Sequence, residues 1–563
     1  MTREMGFRVV KIMAAVTSGV LLYMAFPPQA QADSAWMALV PLMLIIRRCA
    51  PRAAAGWAAL SAIIFWALTL SWFPAIIKND GPWPLVFLGL AFLTLWCACF
   101  MMVYAYTSAR LWQWAGLAPG WRRVVLVLLA DPLLWVGTEW SRGWLLTGFA
   151  WNFLGVSQVA NLPLIQVASM VGVYGVSAVL ILFNGALTSL LQRVLRPFEL
   201  RCCGSAVMAS GPFTMVARLM HALESGLPLL LVALVWFWGL GRLEEWQRVS
   251  AEAPKWRVAL IQPNAPCIFT LDEQTTLAQL TLLKTRTQQA SAAAPDLMVW
   301  PETAVLGSIP YVPETWHFIQ QGVKVAGAPL LTGALETEKA TGAAADADGF
   351  VYYNAAWLFD IAGEAVGVYR KRHLVPFGEF IPLDKRISWL QRFAPTGVSC
   401  TPGSDAGILR VTRASGEVLR LGPLICFEDT VPSLSRATVR AGAQLLVLMT
   451  NDAWFNGSIE PVQHLDQSVF RAVENGVPLV RAANSGVSCA VDAVGRVTRL
   501  EADGKAVDFD GFFVTQVAVP HKPFRAPYTR WGDRLLALPG LLLVLVVACH
   551  GLYMSKKTSS LES

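Results

Sequence analysis

The stretch Leu419-Arg420-Leu421-Gly422-Pro423-Leu424-Ile425-Cys426-Phe427-Glu428-Asp429-Thr430 reads in two halves. Leu419 to Ile425 is an apolar run of strand length, and a helix start follows at Thr430 to Leu434, so Cys426 falls at a strand-to-helix turn. A thiol in that place feels the positive end of the helix dipole and loses its proton more readily; standing alone, it would read as an inert buried cysteine. The same punctuation recurs on either side. Trp256 to Ile261, Leu297 to Trp300, Leu330 to Leu335, Tyr352 to Phe359 and Leu445 to Met449 are apolar or β-branched runs bounded by Pro, Gly or Asp, with helical patterns between them at Leu271 to Ala290 and Pro461 to Glu474. Strands alternating with helices predict an α/β domain over residues 251–530.

In such sheets the functional groups gather where strands end. Trp300-Pro301-Glu302 puts a carboxylate just past a buried strand, where an acid favoured by a helix dipole would also sit. A third stretch, Tyr369-Arg370-Lys371-Arg372-His373-Leu374-Val375-Pro376-Phe377-Gly378-Glu379-Phe380, runs from basic residues straight into an apolar segment, which predicts a packed loop rather than a solvated face. A thiol, a carboxylate and a lysine have complementary jobs in acyl transfer: the thiolate attacks, the carboxylate carries the proton, and the ammonium stabilises the oxyanion. Histidine is not needed. The chain has only six, and His373 is the one inside these stretches.

Outward from this domain the material changes. Of 563 residues 55% are hydrophobic and 15% charged, and the apolar excess fills the chain up to about residue 244 and a run from Leu535 to Tyr553. About twenty apolar residues span a bilayer as a helix. Candidate spans lie near 9–26, 35–46, 54–75, 84–107, 124–140, 162–191, 227–243 and 533–553, which gives an N-terminal bundle of about seven helices over 1–244, a C-terminal helix at 533–553 and a tail at 554–563. The net charge of +7 comes from basic residues in short clusters between apolar runs, a topological pattern that excludes a nucleic-acid face. With the N-terminus inside, Arg3, Arg8, Lys11, Arg47, Arg48, Arg52, Arg110, Arg122, Arg123, Arg193, Arg196, Arg201, Arg218, Lys556 and Lys557 are cytoplasmic, whereas the opposite short loops hold Lys78 and Arg142. That places the α/β domain on the exported side. The N-terminus also fits a secretory signal ending at Ala30-Gln31-Ala32, although Pro27-Pro28 before another apolar run fits a helix hairpin equally well. Ser141 to Pro163, with Trp144, Trp151 and Phe153, fits either a re-entrant loop or an aromatic belt. None of the ten cysteines forms a CxxC pair, so neither a zinc site nor a disulfide framework is indicated.

Together, Glu302 in Trp-Pro-Glu-Thr, Lys371 in Tyr-x-Lys-x-His-Leu-Val-Pro-Phe-Gly-Glu and Cys426 in Ile-Cys-Phe-Glu resemble the nitrilase superfamily, and in detail its membrane branch, the apolipoprotein N-acyltransferases. The resemblance covers the whole chain and implies a multi-span α-helical bundle joined to an αββα nitrilase-type sandwich. It implies that Cys426 takes an acyl chain from a phospholipid as a thioester and passes it to the α-amine of a diacylglyceryl-modified N-terminal cysteine on an apolipoprotein, with no cofactor and no metal. Glu302 would be base and acid, Lys371 and the backbone N–H of Phe427 the oxyanion site, and Glu379 and Glu428 would orient the lysine and the substrate. Asn451 and Trp454, in Thr450-Asn451-Asp452-Ala453-Trp454-Phe455, would line the pocket, beside a strand-to-turn at Arg481-Ala482-Ala483-Asn484-Ser485-Gly486. The localisation implied is the bacterial inner membrane, multi-pass, with catalysis on the periplasmic side. Two places depart from the family pattern: Phe427 stands where relatives often carry tyrosine, and the pair Thr270-Leu271 where they commonly carry Lys-Trp. The same triad would also serve a membrane-tethered amidase or nitrilase that gives its thioester to water. A transporter or scaffold with a ligand-binding nitrilase-like domain is a different class; it would show internal repeats and more intramembrane charge than Asp131 and Glu139 of the fifth span.

Overall fold

The computed structural model describes residues 2–79, 81–116, 120–203, 215–266, 273–305, 307–339, 349–382, 399–413 and 415–559. It divides into two compact units, one of Met1–Ser71, Phe87–Arg242 and Trp531–Ser563, the other of Trp72–Val86 and Leu243–Arg530.

The first unit is helical. Among the described residues seven helices are long and apolar enough to cross a bilayer: Met5–Met24, Pro51–Asn79, Trp83–Ala115, Trp121–Arg142, Val173–Val194, Met215–Glu252 and Pro527–His550. The apolar runs predict eight, and the run at 35–46 is the one that falls short. It folds as a 3-10 turn, Ala32–Trp36, and a separate seven-residue helix, Val40–Ile46, which reaches about 10 Å against a hydrocarbon core of about 30 Å. The run expected at 162–191 is also divided. Two short helices, Leu162–Ile165 and Ala168–Val171, precede Gly172, whose φ of +75° ends the second before the long helix Val173–Cys203 begins.

The aromatic segment after Arg142 is an irregular chain with 3-10 turns at Leu145–Thr147 and Leu154–Gln158. Trp151, Phe153 and Leu154 are buried while Trp144 and Leu146 are exposed. Irregular backbone survives among apolar helices only when its polar groups find partners inside the protein. Here Glu139 Oε1 accepts the N–H of Leu154 at 2.6 Å, Ser177 Oγ accepts that of Gly155 at 2.8 Å, and Arg142 donates to the carbonyls of Phe149 and Trp151 at 2.7 and 2.8 Å. Asp131 accepts from Ser108 and Trp112 at 2.6 and 3.0 Å. Both carboxylates of the fifth span are therefore engaged in holding the bundle together. The helix Ala537–Ser559 packs on Asp131–Arg142 with Gly540 against Gly137, where an added Cβ would come within 2.4 Å of Gly540 backbone. Glycine at both places lets the two backbones touch.

The second unit is built on two sheets. Its strands are β1 (Lys255–Gln262), β2 (Leu297–Val299), β3 (Ser308–Ile309), β4 (Leu330–Lys339), β5 (Phe350–Phe359), β6 (Ala365–Arg370), β7 (Leu409–Thr412), β8 (Val418–Ile425), β9 (Leu445–Thr450), β10 (Leu479–Ala483), β11 (Cys489–Val491), β12 (Val497–Arg499) and β13 (Gly511–Ala518). One sheet runs β13-β1-β2-β4-β5-β6, with β3 on β4; the other runs β12-β11-β10-β9-β8-β7. Alternation along each strand decides which layer a side chain joins. Trp256, Val258 and Leu260 of β1 meet Leu421, Ile425, Val447 and Val480 of the second sheet in one buried layer. Their neighbours Ala259 and Ile261 point the other way, onto Leu283 and Ala290 of helix Glu273–Ser291 and Ile319 and Val323 of helix Pro313–Ala326. Helices Pro432–Arg440 and Glu460–Asn475 cover the outer face of the second sheet, which completes an αββα sandwich. β9, parallel to both β8 and β10, is buried at every position, as a strand covered on both faces must be.

Trp72–Val86, expected as part of the membrane bundle, belongs to this second unit. The Trp72 indole donates to Gln463 Oε1 at 3.1 Å and meets Phe455 edge-on at 5.0 Å, and Asn79 Nδ2 donates to the carbonyls of Ala453 and Trp454 at 3.2 and 2.8 Å. These contacts span almost four hundred positions, beyond the reach of any local pattern.

Candidate active site

Glu302, Lys371 and Cys426 each stand just past a strand end, beyond β2, β6 and β8. The turn carrying Glu302 lies flat on β4 because position 333 is glycine: a Cβ there would meet Glu302 Cα at 2.6 Å. Gly333 exchanges backbone bonds with Pro301 and Ala304 across that contact, at 3.2 and 3.1 Å. Lys371 continues β6, its N–H bonded to the carbonyl of Asn354 on β5 at 2.8 Å. Cys426 has a φ of +51°, a left-handed conformation that costs a non-glycine residue about 1–3 kcal/mol and that here points the chain from β8 into the 3-10 turn Cys426–Thr430.

The three side chains converge. Lys371 is buried, with Nζ 2.9 Å from Glu379 Oε2 and 3.4 Å from Glu302 Oε1. Asn354 Nδ2 donates to Oε1 of both glutamates at 2.7 Å, and the backbone N–H of Asn451 donates to Glu302 Oε2 at 2.8 Å. Both oxygens of Glu302 thus accept N–H bonds. Burial alone would lower the Lys371 pKa, but Glu379, Glu302 and Cys426 more than offset it and hold the ammonium well above its ordinary range. Burial, with Glu302 next, pushes the Cys426 thiol well up, and Lys371 pulls it back only in part, even though the residue is partly accessible. At rest the thiol keeps its proton, against the easier ionisation expected of a cysteine at a helix start.

The other expected residues fall around these three. Glu379 is the lysine's nearer carboxylate and also accepts the Val375 N–H at 2.9 Å. Glu428, fully buried, accepts four donors from the chain itself: Tyr369 OH at 2.6 Å and the N–H groups of Ile425, Arg372 and His373 at 2.8, 2.7 and 3.1 Å. Burial raises its pKa, and the Tyr369 and Ile425 donors with the charges of Lys371 and Arg372 offset that only in part. Its carboxylate therefore joins the Cys426 turn to the Lys371 loop. Phe427 stacks on His373 at 5.9 Å. Asn451 Oδ1 accepts from Asn484 Nδ2 at 2.9 Å, and Asn484 pairs with the backbone of Ala265. Trp454 is half-buried in the 3-10 turn Asp452–Phe455. Thr270 and Leu271 lie outside the described residues.

Sequence reasoning missed Asn354, which links both glutamates; its one signal is an amide inside an otherwise apolar strand. It also missed a buried set behind the turns: Asp429, Asp452, Glu460, His464 and Arg481. Asp452, Glu460 and His464 bring ligating atoms within 4.8 Å of one another. Arg481 already holds Asp452 at 2.8 Å and Asp429 the second ring nitrogen of His464 at 2.9 Å, so the charges are met from within the chain.

Comparison with known proteins bears on both units. A family model described as the apolipoprotein N-acyltransferase N-terminal domain matches residues 18–186, and one described as carbon-nitrogen hydrolase matches residues 257–506. The chain is 35% identical over 489 residues to an apolipoprotein N-acyltransferase of Geobacter metallireducens, covering 86% of this chain and 85% of that one. It is 32% identical over 543 residues to one of Azotobacter vinelandii, covering 94% and 93%. Among solved structures, a nitrilase-superfamily amidase from Nesterenkonia aligns with 50% of this chain and 95% of its own length, at 21% identity and a TM-score of 0.34.

Proposed function

Because this chain belongs to the apolipoprotein N-acyltransferase family, a multi-pass membrane enzyme of the N-acyltransferase class, we propose that Cys426, Glu302 and Lys371 move an acyl chain from a phospholipid to the N-terminal amine of a diacylglyceryl-cysteine apolipoprotein. The observation that carries the assignment is the meeting of a carboxyl group, a locked ammonium and a protonated thiol from three separate strand ends.

In the first half, the Cys426 sulfur attacks the ester carbonyl as Glu302 takes the thiol proton. The oxyanion is held by Lys371 Nζ and the Phe427 N–H. Collapse breaks the ester C–O bond, Glu302 protonates the departing oxygen, and a lysophospholipid leaves the thioester behind. In the second half the lipoprotein amine attacks the thioester, Glu302 accepts its proton, and the same proton returns to the Cys426 thiolate as the amide forms. An α-amine has a pKa of about 8, so a useful fraction is neutral near pH 7. Asn451 and Asn354 hold Glu302 in place through both steps, Glu379 holds Lys371, Glu428 fixes the nucleophile's turn, and Trp454 lines the approach. A donor ester at the bilayer interface suits a catalyst fixed to a helical bundle. The charge asymmetry of the short loops supports an inner-membrane protein with catalysis on the periplasmic side.

Intact-mass measurement after incubation with phospholipid tests this reading. The expected result is one acyl mass on the wild-type protein, removed by neutral hydroxylamine, absent from Cys426→Ala, and transferable to a lipopeptide amine. Release of free fatty acid with no transfer would move the chain to the hydrolase reading.

A further inference from the structure

His464 stands on helix Glu460–Asn475, 2% exposed, with carboxylates on both sides of its ring. Nδ1 lies 3.0 Å from Asp452 Oδ1 and Nε2 lies 2.9 Å from Asp429 Oδ1. A neutral imidazole has one N–H, so between two carboxylates both contacts are hydrogen bonds only when the ring carries both protons. The neighbours make the charge consistent. Arg481 donates to Asp452 Oδ2 at 2.8 Å, Thr450 Oγ1 to Asp452 Oδ1 at 2.7 Å, and Ser468 Oγ to Asp429 Oδ2. Two cations thus face two anions, with Glu460 Oε1 3.7 Å from Nδ1 as the fifth member. Burial alone would lower the His464 pKa, but Asp429 and Asp452 hold it at about 10. Burial and the adjacent Asp452 push Glu460 up to about 8, so at neutral pH it adds little charge.

The two carboxylates belong to the two turns that matter most. Asp429 lies in the turn that begins with Cys426, and Asp452 begins the turn next to Asn451, whose N–H holds Glu302. Asp452 is also among the charges that act against a thiolate at Cys426.

We propose that His464, as an imidazolium, is a positioning residue for acyl transfer: it ties the nucleophile's turn to the turn that holds the base, and its charge offsets that of Asp452, the aspartate that faces the thiol. This rests on Cys426 being the nucleophile. That premise is checked separately by the wild-type acyl adduct and its absence from Cys426→Ala, and a wild type without adduct would bring down the catalytic reading whatever His464 does.

The test compares His464→Gln with the charge-balanced pair His464→Gln/Asp452→Asn, in full-length protein with dioleoyl phosphatidylethanolamine micelles. Two rates are followed against pH: acyl-adduct formation, and alkylation of Cys426 by iodoacetamide read on its own peptide. For the single variant, both profiles are expected to move alkaline by about one pH unit, with acylation at pH 7 down about tenfold. The pair, which removes one positive and one negative charge, is expected to recover most of that shift. A folded single variant with the wild-type profile, or a pair no better than the single variant, would overturn the proposal. A wild-type measurement decides the matter where a variant does not fold: exchange of the His464 ring C2 hydrogen, read by mass spectrometry. No titration midpoint below pH 9 is expected, and a midpoint at or below 6.5 would overturn it.

Discussion

Two sets of buried charge lie close behind one another in the sandwich, and they are balanced differently. In front, Glu302 and Glu379 share the single ammonium of Lys371, with the Cys426 thiol beside them. Behind, His464 and Arg481 answer Asp429 and Asp452 one for one. A balanced buried set can stay in one charge state and serve as a brace. In the front set two carboxyl groups share one ammonium, and the thiol beside them is one that burial and Glu302 make hard to deprotonate. The contrast explains why the site needs so many neutral donors. Asn354 and the Asn451 N–H supply donors to the two carboxyl groups without adding a charge.

The sharpest way to break this contrast is to remove the front cation. Lys371→Met leaves Glu302 and Glu379 facing each other and deletes an oxyanion donor. Acyl transfer to a lipopeptide is expected to fall about a thousandfold, while the detergent-solubilised protein keeps its circular dichroism. Asn354→Leu is the intermediate case. It strips one donor from each glutamate, and the maximal rate is expected to fall about ten- to a hundredfold with KM little changed. The smallest effect is on the set behind. The His464 pKa is raised from the ordinary histidine value, so its contribution to stability is full below about pH 6.5 and is lost as pH rises through about 10. Glu460, held protonated, acts in the same direction, its share being lost between its ordinary carboxylate range and about pH 8. The unfolding temperature of the wild type is therefore expected to fall by several degrees between pH 6.5 and 9, and by less in His464→Gln. A profile rising with pH would show that the balanced set is not in the charge state drawn here.

The front set was largely legible in the sequence because Glu302, Lys371 and Cys426, which the structure brings together, sit beside strand ends, each inside a short motif that carries its own turn chemistry. Asn354 escaped because its role arises from pairing: the register that sets Ala355 against Arg370 brings Asn354 beside Lys371, and no local pattern encodes register. The set behind escaped for a similar reason, since Asp429, Asp452, His464 and Arg481 come from four separate elements. In the bundle, apolar counting found seven of its eight runs in helices long enough to span. It failed at 35–46, where hydropathy registers an apolar stretch but cannot tell a continuous helix from a 3-10 turn followed by a short one. The buried chain after Arg142 was ambiguous because aromatic residues suit an interface as well as an interior. What decides it is where Glu139 and Arg142 send their hydrogen bonds.

The fifteen residues Trp72–Val86 carry one more consequence, for anyone who would cut this enzyme in two. A water-soluble fragment beginning at Leu243 looks natural on a hydropathy plot, yet it would be born with a piece missing. Gln463 would lose its indole partner, Phe455 its ring neighbour, and the carbonyls of Ala453 and Trp454 their shared amide. The wall that frays is the one whose turn presents Asn451 to Glu302. Supplying residues 72–86 as a synthetic peptide, or grafting them ahead of Leu243, is the repair this architecture suggests for making the catalytic half stand alone.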